Sequence, residues 1–304
     1  MTPAKTGRSG FVSLVGRPNT GKSTLLNALV NMRLAAVADK PQTTRTSIQG
    51  VLTLPEAQII FLDTPGIHES GSMLDRRMME TVRGALADRD LVLLVADADA
   101  GFLDEDSRAA EMVRAQPAPV LAVLNKIDQV KDKRLLLPLM ERFSAAAGAA
   151  SCFPVSALTG EGLDLLRREI VARLPEGPQY YPPDHVTDQP ERFLAVELIR
   201  EKILRFTHHE VPHAVAVLLD RWDETPQLLR LAATIYVERD GQKGILIGAK
   251  GAALKRIGTE ARLALESTLG RKIFLQLFVK VKPRWRDDAA FLNELDWRSM
   301  AGVQ

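Results

Sequence analysis

The chain has 304 residues, is 46% hydrophobic and 26% charged, and carries a net charge of +2, the balance of an ordinary globular protein long enough for two cores. No apolar stretch approaches a bilayer span, no apolar signal region follows Met1-Thr2-Pro3-Ala4-Lys5, and the single cysteine, Cys152, excludes an intrachain disulfide, so a cytoplasmic setting is expected. The charge is unevenly spread: residues 1–180 carry 21 Lys/Arg and 21 Asp/Glu, whereas residues 243–286 carry 11 Lys/Arg against only Glu260 and Glu266, which points to a polyanion partner for the second half.

The apolar run 11–15 predicts a strand buried on both faces. It leads straight into Gly16-Arg17-Pro18-Asn19-Thr20-Gly21-Lys22-Ser23, which fits G-x-x-x-x-G-K-[ST], and a helical pattern opens at Ser23-Thr24 and runs to about 31. A strand that ends in a glycine loop and opens a helix aims backbone N–H groups and a helix N-terminus at one point, where a polyphosphate can sit. Lys22 is expected to neutralise the outer phosphates, and the Ser23 hydroxyl to ligate Mg²⁺. The stretch Asp39-Lys40-Pro41-Gln42-Thr43-Thr44-Arg45 follows, from which a second Mg²⁺ ligand is expected: Thr44 first, Thr43 as the alternative.

A strand near 47–54, a turn at Pro55-Glu56 and the run 59–62 bring the chain to Asp63-Thr64-Pro65-Gly66-Ile67. A carboxylate at that strand end can hold Mg²⁺ through water, and Gly66 can bring its N–H to the terminal phosphate. Ile67 has no side-chain hydrogen bond to orient a water, and His68 is read as facing solvent. Helical patterns at about 72–88, 104–115, 133–147 and 162–173 alternate with apolar runs 91–96, 120–124 and 152–155. Cys152 falls in the last run, as a buried and inert thiol.

Run 120–124 ends in Asn125-Lys126-Ile127-Asp128. Guanine presents N1–H and an exocyclic amine on one edge, a donor pair that one carboxylate accepts. Adenine has no such pair and would leave the carboxylate unpaired. Asp128 is therefore the expected specificity residue. Asn125 is expected to bond the purine and tie loops together, and the Lys126 stem to lie along the base. The backbone N–H groups of Ser156-Ala157-Leu158 are expected to donate to the guanine carbonyl. Strands alternating with helices predict an α/β fold of the P-loop NTPase kind, a doubly wound and mostly parallel sheet with ligands at the carboxyl ends of its strands.

Five prolines between 175 and 190 read as a semi-rigid linker. The domain reading is 1–178, a linker over 179–192, and a second domain over 193–304. Its order is a helix faced by Phe193, Val196, Ile199, Ile203 and Phe206; strands at 213–220 and 231–238; a short helix at 244–247 before Gly248-Ala249-Lys250-Gly251; a helix with Leu254, Ile257, Ala261 and Leu265 inward; and a strand alternating from Ile273 to Lys282. This is a smaller α+β layer with helices on one face.

The blocks G-R-P-N-x-G-K-S-T-L-L-N, T-T-R, D-T-P-G, N-K-I-D and S-A-L, followed by V-E-R-D-G-Q-K-G-I-L-I-G-A-K-G, resemble the Era family of bacterial GTPases over almost the whole chain. The last block resembles a type II KH domain, whose G-x-x-G loop clamps single-stranded RNA backbone. Thr20 departs from the valine common in that family. The resemblance implies a GTP-hydrolysing switch in assembly of the 30S ribosomal subunit, with GTP/GDP and Mg²⁺ as cofactors, the 3′ region of small-subunit (16S-type) ribosomal RNA as partner rather than DNA, and a monomer. It also implies Asn19 as a K⁺ ligand doing the electrostatic work of an arginine. Slow intrinsic turnover is expected from the residues themselves, because Ile67 cannot orient a water and no arginine can be assigned to the phosphoryl charge. Peripheral contact with the inner face of the cell membrane stays open.

The residues expected at RNA are Lys243, Gly248, Ala249, Lys250, Gly251, Lys255 and Arg256. Ile245 and Ile247 are read as a groove floor or as core, and Trp285 as a base-stacking or a core residue. Two alternatives remain: an RNA-binding module whose nucleotide is structural and does not switch, and an ATP-using P-loop kinase, against which Asp128 argues.

Overall fold

The computed structural model describes residues 7–38, 40, 42–67, 71–208 and 210–296. Asp39, Pro41 and His68 lie outside the described residues. The chain divides into two compact units, one formed by described residues within Met1–Ala35, Thr44–Glu69 and Arg77–Asp188, the other within Ala36–Thr43, Ser70–Arg76 and Gln189–Gln304.

The first unit runs β1 (Gly7–Val15), α1 (Lys22–Val30), β2 (Ile48–Thr53), β3 (Ala57–Asp63), α2 (Met73–Leu86, from Arg77 onward), β4 (Leu91–Asp97), α3 (Asp104–Arg114), β5 (Val120–Asn125), α4 (Leu136–Ala147), β6 (Cys152–Pro154), α5 (Leu163–Arg173) and β7 (Glu176–Gly177). The sheet order is β2-β3-β1-β4-β5-β6, parallel except for β2, which lies antiparallel on β3. Every residue of β4 is buried, as expected of a strand covered on both faces. The sheet grows outward in both directions from β1, toward β3 on one side and β4 on the other. That reversal opens a crevice at the carboxyl ends of the strands. The pattern read as one helix over 133–147 is a 3₁₀ turn, Lys133–Leu135, followed by α4.

The proline-rich segment is held to the first unit. β7 pairs antiparallel with the start of β1, and the buried Gln58 side chain accepts from the Tyr180 and Tyr181 N–H groups at 2.8 and 2.9 Å while donating to the Tyr181 carbonyl.

The second unit runs α6 (Glu191–Phe206), α7 (Val211–Ala214), β8 (Ala216–Glu224), β9 (Leu229–Val237), α8 (Asp240–Ile247), α9 (Ala252–Leu269), β10 (Ile273–Val281) and α10 (Ala289–Glu294). β9 is central, parallel to β10 and antiparallel to β8. Ile199, Ile203, Ile235, Ile257, Ala261 and Leu265 share its core. The strand expected from residue 213 begins instead at Ala216. Pro212, with its φ preset for a first helical turn, puts His213 in α7. Trp285 is fully buried and donates from Nε1 to the Ala214 carbonyl at 2.8 Å, so it is a core residue and offers no face to a base.

α6 also buries charge. Arg200 pairs with Glu197 and donates to the Thr43 carbonyl, and Glu201, with no exposed surface, accepts from the Val37 N–H at 3.1 Å. These bonds hold the ends of the 36–43 segment within the second unit.

Candidate nucleotide site and nucleic-acid interface

The loop after β1 is pinned from below. Lys22 Nζ donates to the Gly16 and Arg17 carbonyls at 3.1 and 2.9 Å, and the buried Thr20 hydroxyl donates to Arg17 O at 3.2 Å. The polar group that replaces valine at Thr20 is therefore satisfied within the loop. Gly21 has φ +86°, and a Cβ there would lie 2.4 Å from Asn125 Nδ2, so both backbone and packing demand glycine. Asn19 is exposed, with φ +64°. The Arg17 side chain turns away to a buried pair with Asp106 at 3.1 Å, leaving its backbone to the loop. Pro18 lies so close beneath Gly66 that a Cβ on Gly66 would meet it at 2.7 Å, and the Ile67 N–H donates to Gly16 O at 3.0 Å. The Thr64 hydroxyl donates to Leu14 O at 2.7 Å. Thus Thr64, Pro65, Gly66 and Ile67 are laid along the phosphate loop.

At the head of α1, Ser23 Oγ is 2.7 Å from Thr44 Oγ1 and 2.6 Å from Asp63 Oδ2, and Thr44 Oγ1 is 3.1 Å from the same carboxylate oxygen. Thr43 turns away, donating to the Lys40 carbonyl at 2.6 Å. Asp63 is fully buried, and its Oδ1 has no hydrogen-bond partner among the described residues. Burial pushes its pKa up to about 6, against the opposing pull of Lys22 and the two hydroxyls. Burial lowers Lys22 to about 8. Two hydroxyls and a carboxylate with a spare buried oxygen form a hard-oxygen donor set that fits Mg²⁺.

The far end of the site is built by Asn125, which ends β5. Its Nδ2 donates to Thr20 O at 2.9 Å, and its Oδ1 accepts from the Ala157 N–H at 3.0 Å. One buried amide thus ties together the phosphate loop and the loop after β6. Lys126 adopts φ +64°, pairs with Asp97 at 2.7 Å, and passes its stem beside Gly21. Ile127 is buried, while Asp128 and Leu158 are exposed. The Ser156 N–H is taken by Glu161 O and the Ala157 N–H by Asn125. Of the three donors expected for a guanine carbonyl, the Leu158 N–H is the one with no partner among the described residues.

In the second unit, Gly248 (φ +69°), Lys250 (φ +50°) and Gly251 (φ +79°) make a tight left-handed turn between α8 and α9. A Cβ at Gly248 would meet Ala253 at 2.7 Å, whereas Gly251 faces open space. Ala249 and Lys250 are exposed at its tip. Lys243, Lys250, Lys255 and Arg256 form no ion pair among the described residues, while Arg262, Arg271, Lys282 and Arg286 of the same basic stretch do. Arg256 instead lies over the Phe206 ring at 4.3 Å.

Residues 11–126 match the family model described as 50S ribosome-binding GTPase, and residues 210–286 match the KH domain model. The GTPase Era of Syntrophus aciditrophicus is 47% identical over 95% of this chain and 95% of its own length; that of Geobacter metallireducens is 45% identical over 95% and 98%. The chain belongs to the GTPase Era family. A crystal structure of Era in complex with MgGDPNP and nucleotides 1506–1542 of 16S ribosomal RNA superposes with a TM-score of 0.92 at 38% identity, covering 96% of this chain and 99% of that one. A point variant of Aquifex aeolicus Era bound to GDP·AlF₄⁻ superposes with a TM-score of 0.91, also at 38% identity, covering 95% of this chain and 99% of that one.

The fold also gives roles to residues for which the sequence analysis assigned none at the site. Gln242 is buried and accepts from the Glu238 and Arg239 N–H groups, each at 3.0 Å, at the start of α8. A groove of about 400 Å³ lies between α9 and β10, walled by Leu254, Leu275 and Leu277. Ile245 and Ile247, read as a possible floor, do not line it; Ile245 is 53% exposed on α8. The alternation along β10 was the available signal, since it turns Leu275 and Leu277 to the helix side.

Proposed function

We propose that the chain is a GTP-hydrolysing switch that binds the 3′ region of small-subunit ribosomal RNA through its KH domain and acts in assembly of the 30S subunit. The observation that carries the nucleotide half is the Asn125 bridge, which joins the phosphate loop to the loop expected to read the base, so both ends of one GTP have a place in a single cradle. The RNA half rests on the G-x-x-G turn, with Lys250 at its tip and Lys255 on α9 beyond it, neither ion-paired among the described residues, and on the Era relative crystallised with 16S ribosomal RNA.

Loop N–H groups and Lys22 bind the polyphosphate, and their approach to a γ-phosphate restores Lys22 to its full charge. The Ser23 and Thr44 hydroxyls, with Asp63 through water, would hold Mg²⁺, which when bound would supply charge to offset that of the phosphates. Asp128 accepts from the guanine donor pair, and the Leu158 N–H meets its carbonyl. Gly66, set against Pro18 beside the phosphate loop, is the residue whose N–H would meet the terminal phosphate. Ile67 offers no side-chain group to orient water, which supports slow intrinsic turnover, and Asn19 would hold K⁺ in place of an arginine. Among the described residues no helix is long and apolar enough to cross a membrane.

The decisive experiment measures affinity for the RNA 3′ segment with GDPNP, with GDP and with no nucleotide, alongside competition of GTP by ATP. Affinities that differ with nucleotide, and exclusion of ATP, are expected. Equal RNA affinities would leave the passive RNA-binding module.

A further inference from the structure

Asp106 lies on α3, outside every motif, yet only 1% of its surface is exposed. Its Oδ2 accepts from the Leu103 N–H at 3.0 Å, at the head of its own helix, and from Arg17 Nε at 3.1 Å, 89 residues away in the phosphate loop. Burial pushes its pKa up, against the pull of those two donors. Capping α3 explains the Leu103 bond but not the arginine buried opposite it. Of the guanidinium donors, Nε meets Asp106, Nη1 reaches the Pro18 carbonyl at 3.4 Å, and the buried Nη2 has no partner among the described residues. Desolvating a cation with so few bonds is costly, so stability alone does not account for the pair.

What the pair holds is the loop. The Arg17 carbonyl accepts from Lys22 Nζ at 2.9 Å and from the Thr20 hydroxyl at 3.2 Å. The next residue, Pro18, packs so closely on Gly66 that a Cβ there would meet it at 2.7 Å. We propose that Asp106 is a positioning residue for hydrolysis: through the Arg17 guanidinium it fixes Pro18, and with it the places where Gly66 and Lys22 meet the terminal phosphate. This rests on the GTP-hydrolysis reading above. GDP lacks that phosphate, so its affinity is nearly independent of the pair. Turnover is not, because a shift of about 1 Å at a reacting group can cost about 10²-fold.

The test compares single-turnover GTP hydrolysis, GDP affinity and melting temperature in two variants of the full chain. Arg17→Lys keeps a cation opposite Asp106 but replaces the planar fork with one nitrogen, which cannot hold Asp106 and the Pro18 carbonyl in one fixed geometry. Arg17→Met combined with Asp106→Asn removes both charges together and keeps an acceptor for the Leu103 N–H, so no charge is left buried alone. Both are expected to melt near the native temperature, to bind GDP within about twofold of the native chain, and to hydrolyse GTP about tenfold more slowly or worse. Native turnover in the folded double variant overturns the inference. So do equal losses of GDP affinity and turnover, since the pair would then serve binding alone. If the double variant does not fold, Arg17→Lys decides, and native turnover there overturns it. A native chain that does not hydrolyse GTP sinks the hydrolysis reading instead.

Discussion

Asp128 is exposed, so its carboxylate is fully hydrated until a base arrives. The two bonds proposed from it to guanine would be charge-assisted, worth about 1.5–3 kcal/mol each. Asp128→Asn is expected to weaken GDP about 10²–10⁴-fold and to improve binding of xanthosine nucleotides, whose 2-carbonyl accepts from the new amide; a nucleotide competition assay reads both. Lys22 makes a second prediction. Burial disfavours its ammonium in the free protein, so its pKa falls from 10.5 to about 8. The cost falls on the folded state below pH 8 and fades as pH rises toward 10.5. A bound polyphosphate favours the ammonium. Binding of Mg·GDP at pH 8 should then take up about half a proton at Lys22, against none at that residue at pH 6, measured as the dependence of binding enthalpy on buffer ionisation. These residues are legible by motif, because each sits at a strand end that the apolar runs mark. The choice of Thr44 over Thr43 is not: two adjacent threonines are equivalent until the backbone turns one of them to the Lys40 carbonyl and brings the other to Ser23.

Elements are legible where their patterning is strong. The buried strands and the alternating β10 follow from runs of apolar residues, and their ends fall within a few residues of those expected. Prediction failed where a local rule competed with the pattern. Pro212 turned the start of a strand into α7. α8 starts at Asp240, earlier than expected, because Gln242 folds back to two N–H groups that precede the helix. Gln242→Ala leaves those part-buried donors without their acceptor and should cost about 1 kcal/mol in urea unfolding, without changing affinity for GDP.

At the scale of the molecule, charge separates the two halves. The first 180 residues are balanced, and the excess lies in residues 243–286, where Lys243, Lys250, Lys255 and Arg256 have no carboxylate partner among the described residues. RNA affinity should therefore fall steeply with salt, log K dropping by about 0.7 per phosphate contacted in a single strand, and Lys250→Ala should flatten that slope by about one contact while leaving the salt dependence of GDP binding unchanged. By itself the chain determined the motifs: a phosphate loop, a carboxylate at Asp128 proposed to select guanine, a G-x-x-G turn and the order of elements that carry them, because each is written in neighbouring residues. Only the tertiary structure decided which hydroxyl meets Asp63, that Trp285 is core, that Arg200 and Glu201 hold the 36–43 segment, and that an open groove runs past Gly258. Each of those depends on groups far apart in the chain, whose meeting no local pattern encodes.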